Sequence, residues 1–179
     1  MTLMRPADQE SHDYFKLYIN QVSGDDFVQT LKESLASTLE LLKNLEDSKW
    51  DFKYAEGKWS IKEVMIHVMD TERIFAYRAL RISRNDMTSL SGFEQNDYAP
   101  YYDVDNRSIK SILKEFKAVR KASIAMFKNF NDEMLARIGT ASDHAVSARA
   151  LGFMIAGHEI HHIKIIKERY LDYLEIENN

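Results

Sequence analysis

Two histidines four residues apart, with a third far upstream, are the groups in this chain best placed to do chemistry. His158 and His162 lie in the run Leu151–Tyr170. On an α-helix, residues four apart project from the same face, about one turn apart, so these two imidazoles can grip one ion. Both fall on the stripe Ala148, Leu151, Ile155, His158, His162, Ile165, whose spacings of three and four mark a buried helix face. His161 falls off that stripe, on a flank with Ala150, Gly157, Lys164 and Glu168, and reads as a bystander. The third candidate, His67, sits in Trp59–Leu80, another strong helical pattern. Three histidines around an open fourth position are the arrangement of a catalytic divalent-metal centre. A structural zinc site is closed by four protein ligands, often cysteines, and this chain has no cysteine.

Blander readings compete with each of these. A lone histidine in a core stripe is more often a hydrogen-bonded structural residue than a ligand. Two imidazoles on one core stripe are harder to dismiss, because burying both without a partner is costly. His144 lies in a polar connector and reads as solvated, and His12 has no informative context. The letters His158-Glu159-Ile160-His161-His162 also match H-E-x-x-H. The extended protease form needs Gly and His at the third and sixth positions after the second ligand; Ile165 and Glu168 stand there instead. Glu159 is one step, about 100°, from His158 and need not face a metal.

Around His67, one helical step onward brings Asp70 or Thr71, then Ile74, then Tyr77 or Arg78, then Arg81. Asp70 is a candidate partner orienting His67 or a pocket acid, against an Asp70–Arg73 surface pair. Tyr77, Arg78 and Arg81 are candidates to line an anionic pocket, against an ion-paired face. The catalytic candidates are therefore Asp70, Tyr77 and Arg81, beside His67, His158 and His162 for the metal.

Four long amphipathic helices must position these groups: Asp26–Asp47, Ser60–Arg84, Ser108–Phe130 and Ser147–Leu171. Ser60-Ile-Lys-Glu63 reads as a capping box opening the second, and Ser147 as the cap of the fourth. Gly152 and Gly157 each cost the fourth helix on the order of 1 kcal/mol against alanine, which close helix approach beside the histidines would offset. Glu10–Val22 suggests a shorter helix, and Glu175–Asn179 should fray. Asn85–Arg107 shows no periodicity and carries Phe93, Tyr98, Tyr101 and Tyr102; a stretch of that length predicts a binding loop or packed crossover whose Phe93 and Tyr98 shape the pocket. Asn131–Val146 is a second connector with a turn of helix at Asp132–Arg137. With no strand signal, the fold predicted is all-α, a four-helix bundle with long crossover connections, as a single domain over 1–179.

Composition narrows function. Apolar and charged fractions of 45% and 29% are those of a soluble globular protein, and no run of about 18 apolar residues would span a membrane. The N-terminal residues have no apolar h-region of a secretory signal. Net charge is −4 with both signs scattered, against a nucleic-acid partner. Cysteine-free composition fits a cytoplasmic protein and excludes a thiol nucleophile of its own.

At several stretches the chain resembles the DinB-like family of metal-binding four-helix bundles, also called DinB/YfiT-like. The resemblance rests on Gly57-Lys-Trp-Ser-Ile-Lys-Glu-Val with His67, on Asp70–Arg81, on Gly92-Phe-Glu-Gln-Asn-Asp-Tyr98, and on Ile155–His162 with Glu168-Arg-Tyr-Leu171. It implies a metal triad of one histidine on the second long helix and an H-x-x-x-H pair on the last, which fall on His67, His158 and His162. It implies nickel or zinc as the divalent cation, and a homodimer. Some members are transferases or isomerases using a low-molecular-weight bacterial thiol, and others are described as hydrolases. The family name refers to induction by DNA damage, a stress response, and implies no DNA binding. The expectation is a metal-dependent enzyme acting on a small molecule, with thiol transfer to an electrophile first. Metal-dependent hydrolysis and a non-catalytic metal-binding stress protein are the alternatives.

Overall fold

The computed structural model describes residues 4–171. The expected fraying of Glu175–Asn179 lies outside them. In chain order the elements are α1 (Asp13–Ile19), α2 (Phe27–Lys43), α3 (Ile61–Ser83), the short α4 (Gln95–Tyr98), α5 (Ile109–Phe127), the short α6 (Asp132–Ala136), β1 (Ile138–Ala141), β2 (His144–Ser147) and α7 (Ala148–Ile165). Helices α2, α3, α5 and α7 form the four-helix bundle, and α1 packs against α7 beside it.

Each long helix starts at the residue whose side chain can hold the free N–H groups of a first turn. The Asp26 carboxylate accepts from the Gln29 N–H at 2.8 Å, and the Ser60, Ser108 and Ser147 hydroxyls accept from Glu63, Ser111 and Ala150. Glu63 completes a reciprocal box by accepting from the Ser60 N–H at 2.6 Å. The C-terminal ends fall earlier than the pattern predicts for two helices. α2 stops at Lys43, and a 3₁₀ turn at Asp47–Asp51 drives Trp50 fully into the core. α5 stops at Phe127, and Phe130 folds back against it with ring centroids 5.5 Å apart. α7 runs on as a π-helical turn, Ile166–Leu171.

The connector Asn131–Val146 corrects the sequence reading, which found no strand. Its helical turn is present as α6, but β1 and β2 follow as an antiparallel hairpin with Ala141 opposite His144. The two residues between the strands, Ser142 and Asp143, both have positive φ, as a twist-matched two-residue hairpin turn requires. Ser-Asp is a weak signal for that turn beside Asn-Gly, and four-residue strands are too short to show alternation. Leu90, from the long crossover, docks on the hairpin edge: its N–H donates to the Thr140 carbonyl, and its carbonyl accepts from the Ser142 N–H, both at 2.9 Å.

The core has two apolar clusters. One gathers Phe27, Phe75, Phe127 and Phe153; the other gathers Trp50, Met65, Phe116 and Tyr170. Between them in sequence, each bundle helix contributes polar groups. Arg120 of α5, wholly buried, donates to Glu72 of α3 at 2.8 Å and to Glu159 of α7 at 2.5 Å. Ser34 and Thr38 of α2 donate to the Glu159 carboxylate at 2.6 and 2.8 Å. Arg120 occupies the centre of the buried face of α5, between Phe116 and Ser123, where a hydrophobic residue is expected.

Breaking a buried ion cluster by removing its cation leaves uncompensated carboxylates. Arg120→Met should therefore lower unfolding stability by about 3–5 kcal/mol, the range for losing one partner of a buried pair. Adding Glu72→Gln and Glu159→Gln to that variant should restore part of the loss, measured by urea denaturation.

Candidate metal centre

His67 projects from α3 and is 1% exposed; His158 and His162 project from α7, the first buried and the second half-buried. Their Nε2 atoms converge. His67 to His158 is 3.0 Å and His162 to His158 is 3.1 Å, with the potential ligand atoms of all three within 4.8 Å of one another. The rings meet edge to face, with centroids 4.5–4.9 Å apart. A ring nitrogen carries one in-plane lone pair or one N–H, so His158 can satisfy one of these two contacts well and not both. One cation on bonds of about 2.0–2.1 Å would satisfy all three, and a tetrahedral edge on such bonds is about 3.3 Å. The donor set and spacing thus fit a divalent ion with a position left open.

The surroundings hold the imidazoles neutral. Burial lowers the pKa of His67 to about 4; burial and the neighbouring histidines lower that of His162 to about 3 and push His158 well below its ordinary value. The Thr71 hydroxyl stands 3.5 Å from His67 Nδ1, at the limit of a hydrogen bond, on the side that leaves Nε2 free for the triad. Trp59 packs against the His67 ring at 4.9 Å, and its carbonyl accepts from the Tyr170 hydroxyl at 2.7 Å. Tyr18 of α1 lies edge-on to both His158 and His161, at 5.1 and 5.7 Å. Gly157 makes that contact possible: a Cβ there would lie 1.8 Å from the Tyr18 carbonyl oxygen. Gly152 similarly admits the Phe27 ring, 2.3 Å from where a Cβ would stand. Close approach is the compensation these two helix-weakening glycines receive.

A cleft of about 410 Å³ opens from His158 toward the surface. Its walls include Tyr18, Phe75 and Phe93, with Thr71 and Arg78 from α3, Ser142 from the hairpin turn and His144 from the start of β2. Glu94, exposed, is the one carboxylate among its lining residues. Along α3 the choices left open by spacing fall to Thr71 and Arg78, four and eleven residues past His67. Phe93 shapes the cleft as expected. Tyr98 packs on Phe93 at 5.7 Å and lines a smaller neighbouring cleft instead.

The three catalytic candidates do not join the triad. Asp70 faces Arg73 at 3.4 Å in a surface group with Glu115, which also pairs with Arg107. Tyr77 is 54% exposed and accepts from Arg81, which is itself paired with Asp86 at 2.5 Å. A helix turns about 100° per residue, which carries Asp70 off the face that Thr71 shares with His67. Glu159 is committed to Arg120, Ser34 and Thr38, consistent with its exclusion as a metalloprotease base. Glu63 serves as a cap and pairs with Lys53. His144 is not simply solvated: its ring stacks on His12 at 3.9 Å on the cleft wall. The sequence reading missed the cleft roles of Tyr18, Ser142 and His144. Tyr18 had an aromatic signal on a short helix; the other two depended on the unrecognised hairpin.

Fold and centre together define a known class. Residues 30–166 match the DinB superfamily, and the chain belongs to it. It is 23% identical, over 78% of its length and 79% of the relative's, to a candidate metal-dependent hydrolase of Oceanobacillus iheyensis. Among solved structures it resembles YfiT from Bacillus subtilis, described as a candidate metal-dependent hydrolase with an unusual four-helix bundle topology. The TM-score is 0.68 at 18% identity, over 92% of this chain and 91% of that one. It also resembles a mycothiol-dependent maleylpyruvate isomerase, with TM-score 0.64 at 11% identity, over 81% of this chain and 61% of the isomerase.

Lowered histidine pKa values have a stability consequence with a definite sign. Below the ordinary pKa of 6.5 the unfolded chain takes up protons that the folded metal-free protein refuses, so stability is full above pH 6.5 and falls as pH drops toward 4. Each such histidine contributes a slope of about 1.4 kcal/mol per pH unit in that window. Denaturation of the metal-free protein between pH 7 and 4.5 should show this slope, and His67→Asn should reduce it.

Proposed function

We propose that this protein is a metal-dependent enzyme in which His67, His158 and His162 hold one divalent cation, nickel or zinc, and that it transfers a low-molecular-weight thiol to an electrophile. When bound, such a cation supplies Lewis acidity that lowers the pKa of a thiol or water at its open position. The three imidazoles are neutral donors and leave the ion's charge intact for that purpose. Thr71 and Trp59 fix the His67 ring, while Tyr18 closes the α1 side of His158. The aromatic walls of the cleft keep an apolar substrate body out of water, next to His158.

The observation that carries the thiol reading is the poverty of the cleft in acids. Ester or amide hydrolysis needs a group to receive the water proton and return it to the leaving group. The nearby carboxylates Glu159, Glu72 and Asp70 are all committed to arginines, Glu94 stands exposed among the cleft-lining residues, and the His144 ring on the cleft wall is stacked against His12 at 3.9 Å. A thiol, with its lower intrinsic pKa, needs less help to become a nucleophile. The chain has no cysteine, so that thiol must come from solution. Resemblance to the mycothiol-dependent isomerase supports the same reading. Hydrolysis is the second reading, favoured by the relatives described as candidate hydrolases.

Cobalt-substituted protein should develop a sulfur-to-metal charge-transfer band on adding a bacterial low-molecular-weight thiol. His158→Ala should abolish tight metal binding, and with it the band; His161→Ala should keep both. Turnover with thiol–electrophile pairs should exceed turnover of esters and amides. No spectral response to thiols, together with metal-dependent ester or amide cleavage, would favour hydrolysis instead.

A further inference from the structure

Arg78 is 3% exposed, yet it has no carboxylate partner among the described residues. Arg120, the other deeply buried arginine, lies between two carboxylates. Arg78 is held differently. Its Nη2 donates to the Ser91 carbonyl at 2.7 Å and to the Ser142 hydroxyl at 3.1 Å, both neutral acceptors. Nη1 and Nε have no protein acceptor among the described residues. The guanidinium lies 5.9 Å from the Phe75 ring centroid and 5.8 Å from that of Phe93. Desolvation lowers its pKa from the ordinary value, but an arginine stays charged across the working pH range. Glu94, at the cleft rim, is exposed and caps α4, accepting from the Asn96 N–H at 3.0 Å.

A desolvated cation without a counter-ion is unfavourable unless something else compensates it. Here it is pinned by the crossover and the hairpin turn, two segments that meet through Leu90, and it lines the same cleft as His158. Guanidinium groups with free N–H donors bind oxyanions strongly when water is excluded. We propose that Arg78 anchors a carboxylate of the substrate, so that the enzyme selects small carboxylates with an apolar or aromatic body. That body lies along Tyr18, Phe75 and Phe93, and the reacting group is directed toward His158. The inference deepens the metal-enzyme reading by naming the substrate class, but the anion site itself does not require the metal.

The test uses the full-length protein, metal-free and zinc-loaded, titrated with benzoate, benzamide and inorganic phosphate. Calorimetry gives affinity, and the arginine Nε–H resonances in ¹⁵N-labelled wild type report the site. Benzoate should bind both forms and shift the Arg78 resonance, with benzamide at least tenfold weaker. Arg78→Met should lose at least tenfold in benzoate affinity, and Arg78→Lys should lose less. Should Arg78→Met fail to fold by circular dichroism, the wild-type resonance and the benzoate–benzamide ratio decide. Equal benzoate affinity in Arg78→Met and wild type, an unmoved Arg78 resonance, or benzamide binding as well as benzoate would overturn the proposal. Phosphate binding more tightly than benzoate through Arg78 would overturn the carboxylate assignment. Benzoate binding that needs zinc and ignores Arg78→Met would overturn the anchor and leave the metal reading intact. Arg78-dependent benzoate binding by a protein that takes up neither zinc nor nickel would support the anchor and remove the metal reading.

Discussion

The contact on which the site depends is the buried meeting of Arg120 with Glu72 and Glu159. It joins all four bundle helices in one cluster: Ser34 and Thr38 of α2, Glu72 of α3, Arg120 of α5 and Glu159 of α7. Apolar packing tolerates small rotations of a helix about its axis, but a buried charge with fixed partners does not. Turning Glu159 toward α2 and α5 sets the rotation of α7. His158, one residue and about 100° earlier, then faces α3, and His162 follows it one turn on. Glu72 does the same for α3, where its neighbour Thr71 comes up against His67. The triad is therefore aligned from behind by a cluster that never touches it. The cluster also contains two carboxylates for one guanidinium, which suits a cation held on the adjoining face of the same helices.

The front of the site adds, to residues of α3, parts that are not bundle helices. α1, the crossover after α3 and the β1–β2 hairpin supply Tyr18, Phe93, Ser142 and His144. Each is tied down by a specific contact: α1 through the gap left by Gly157, the crossover and the hairpin through Leu90. The division separates a centre built on helices from a mouth built largely on loops and short elements. Helices position the donor atoms, while the loops set which molecules reach them, a common arrangement in enzymes.

Much of this was legible in the residues, for physical reasons that also explain the gaps. Helix starts at Asp26, Ser60, Ser108 and Ser147 were readable because capping is local chemistry. The convergence of His67, His158 and His162 was readable because three and four are the spacings of one helix face. The ion cluster was not. Nothing local marks Glu72, Arg120 or Glu159 as buried, because burial of a charge becomes sensible only with its partners known. The hairpin was illegible because a four-residue strand has too little room for alternation. Asp70 turns to Arg73, and Tyr77 and Arg81 line the neighbouring cleft with Arg78 instead of the one that reaches His158; one residue of helix is about 100°, and spacing alone left the choices between Asp70 and Thr71 and between Tyr77 and Arg78 open. Thr71 and Arg78 held the inward positions.

The central claim is that three histidines from two helices hold a single cation with one position open. X-ray absorption on zinc-loaded wild-type protein tests it most directly. The expected shell is three imidazole nitrogens at about 2.0–2.1 Å with their outer-ring scattering, plus one further light atom. A shell with one imidazole or none, or with four protein ligands and no open position, would contradict it.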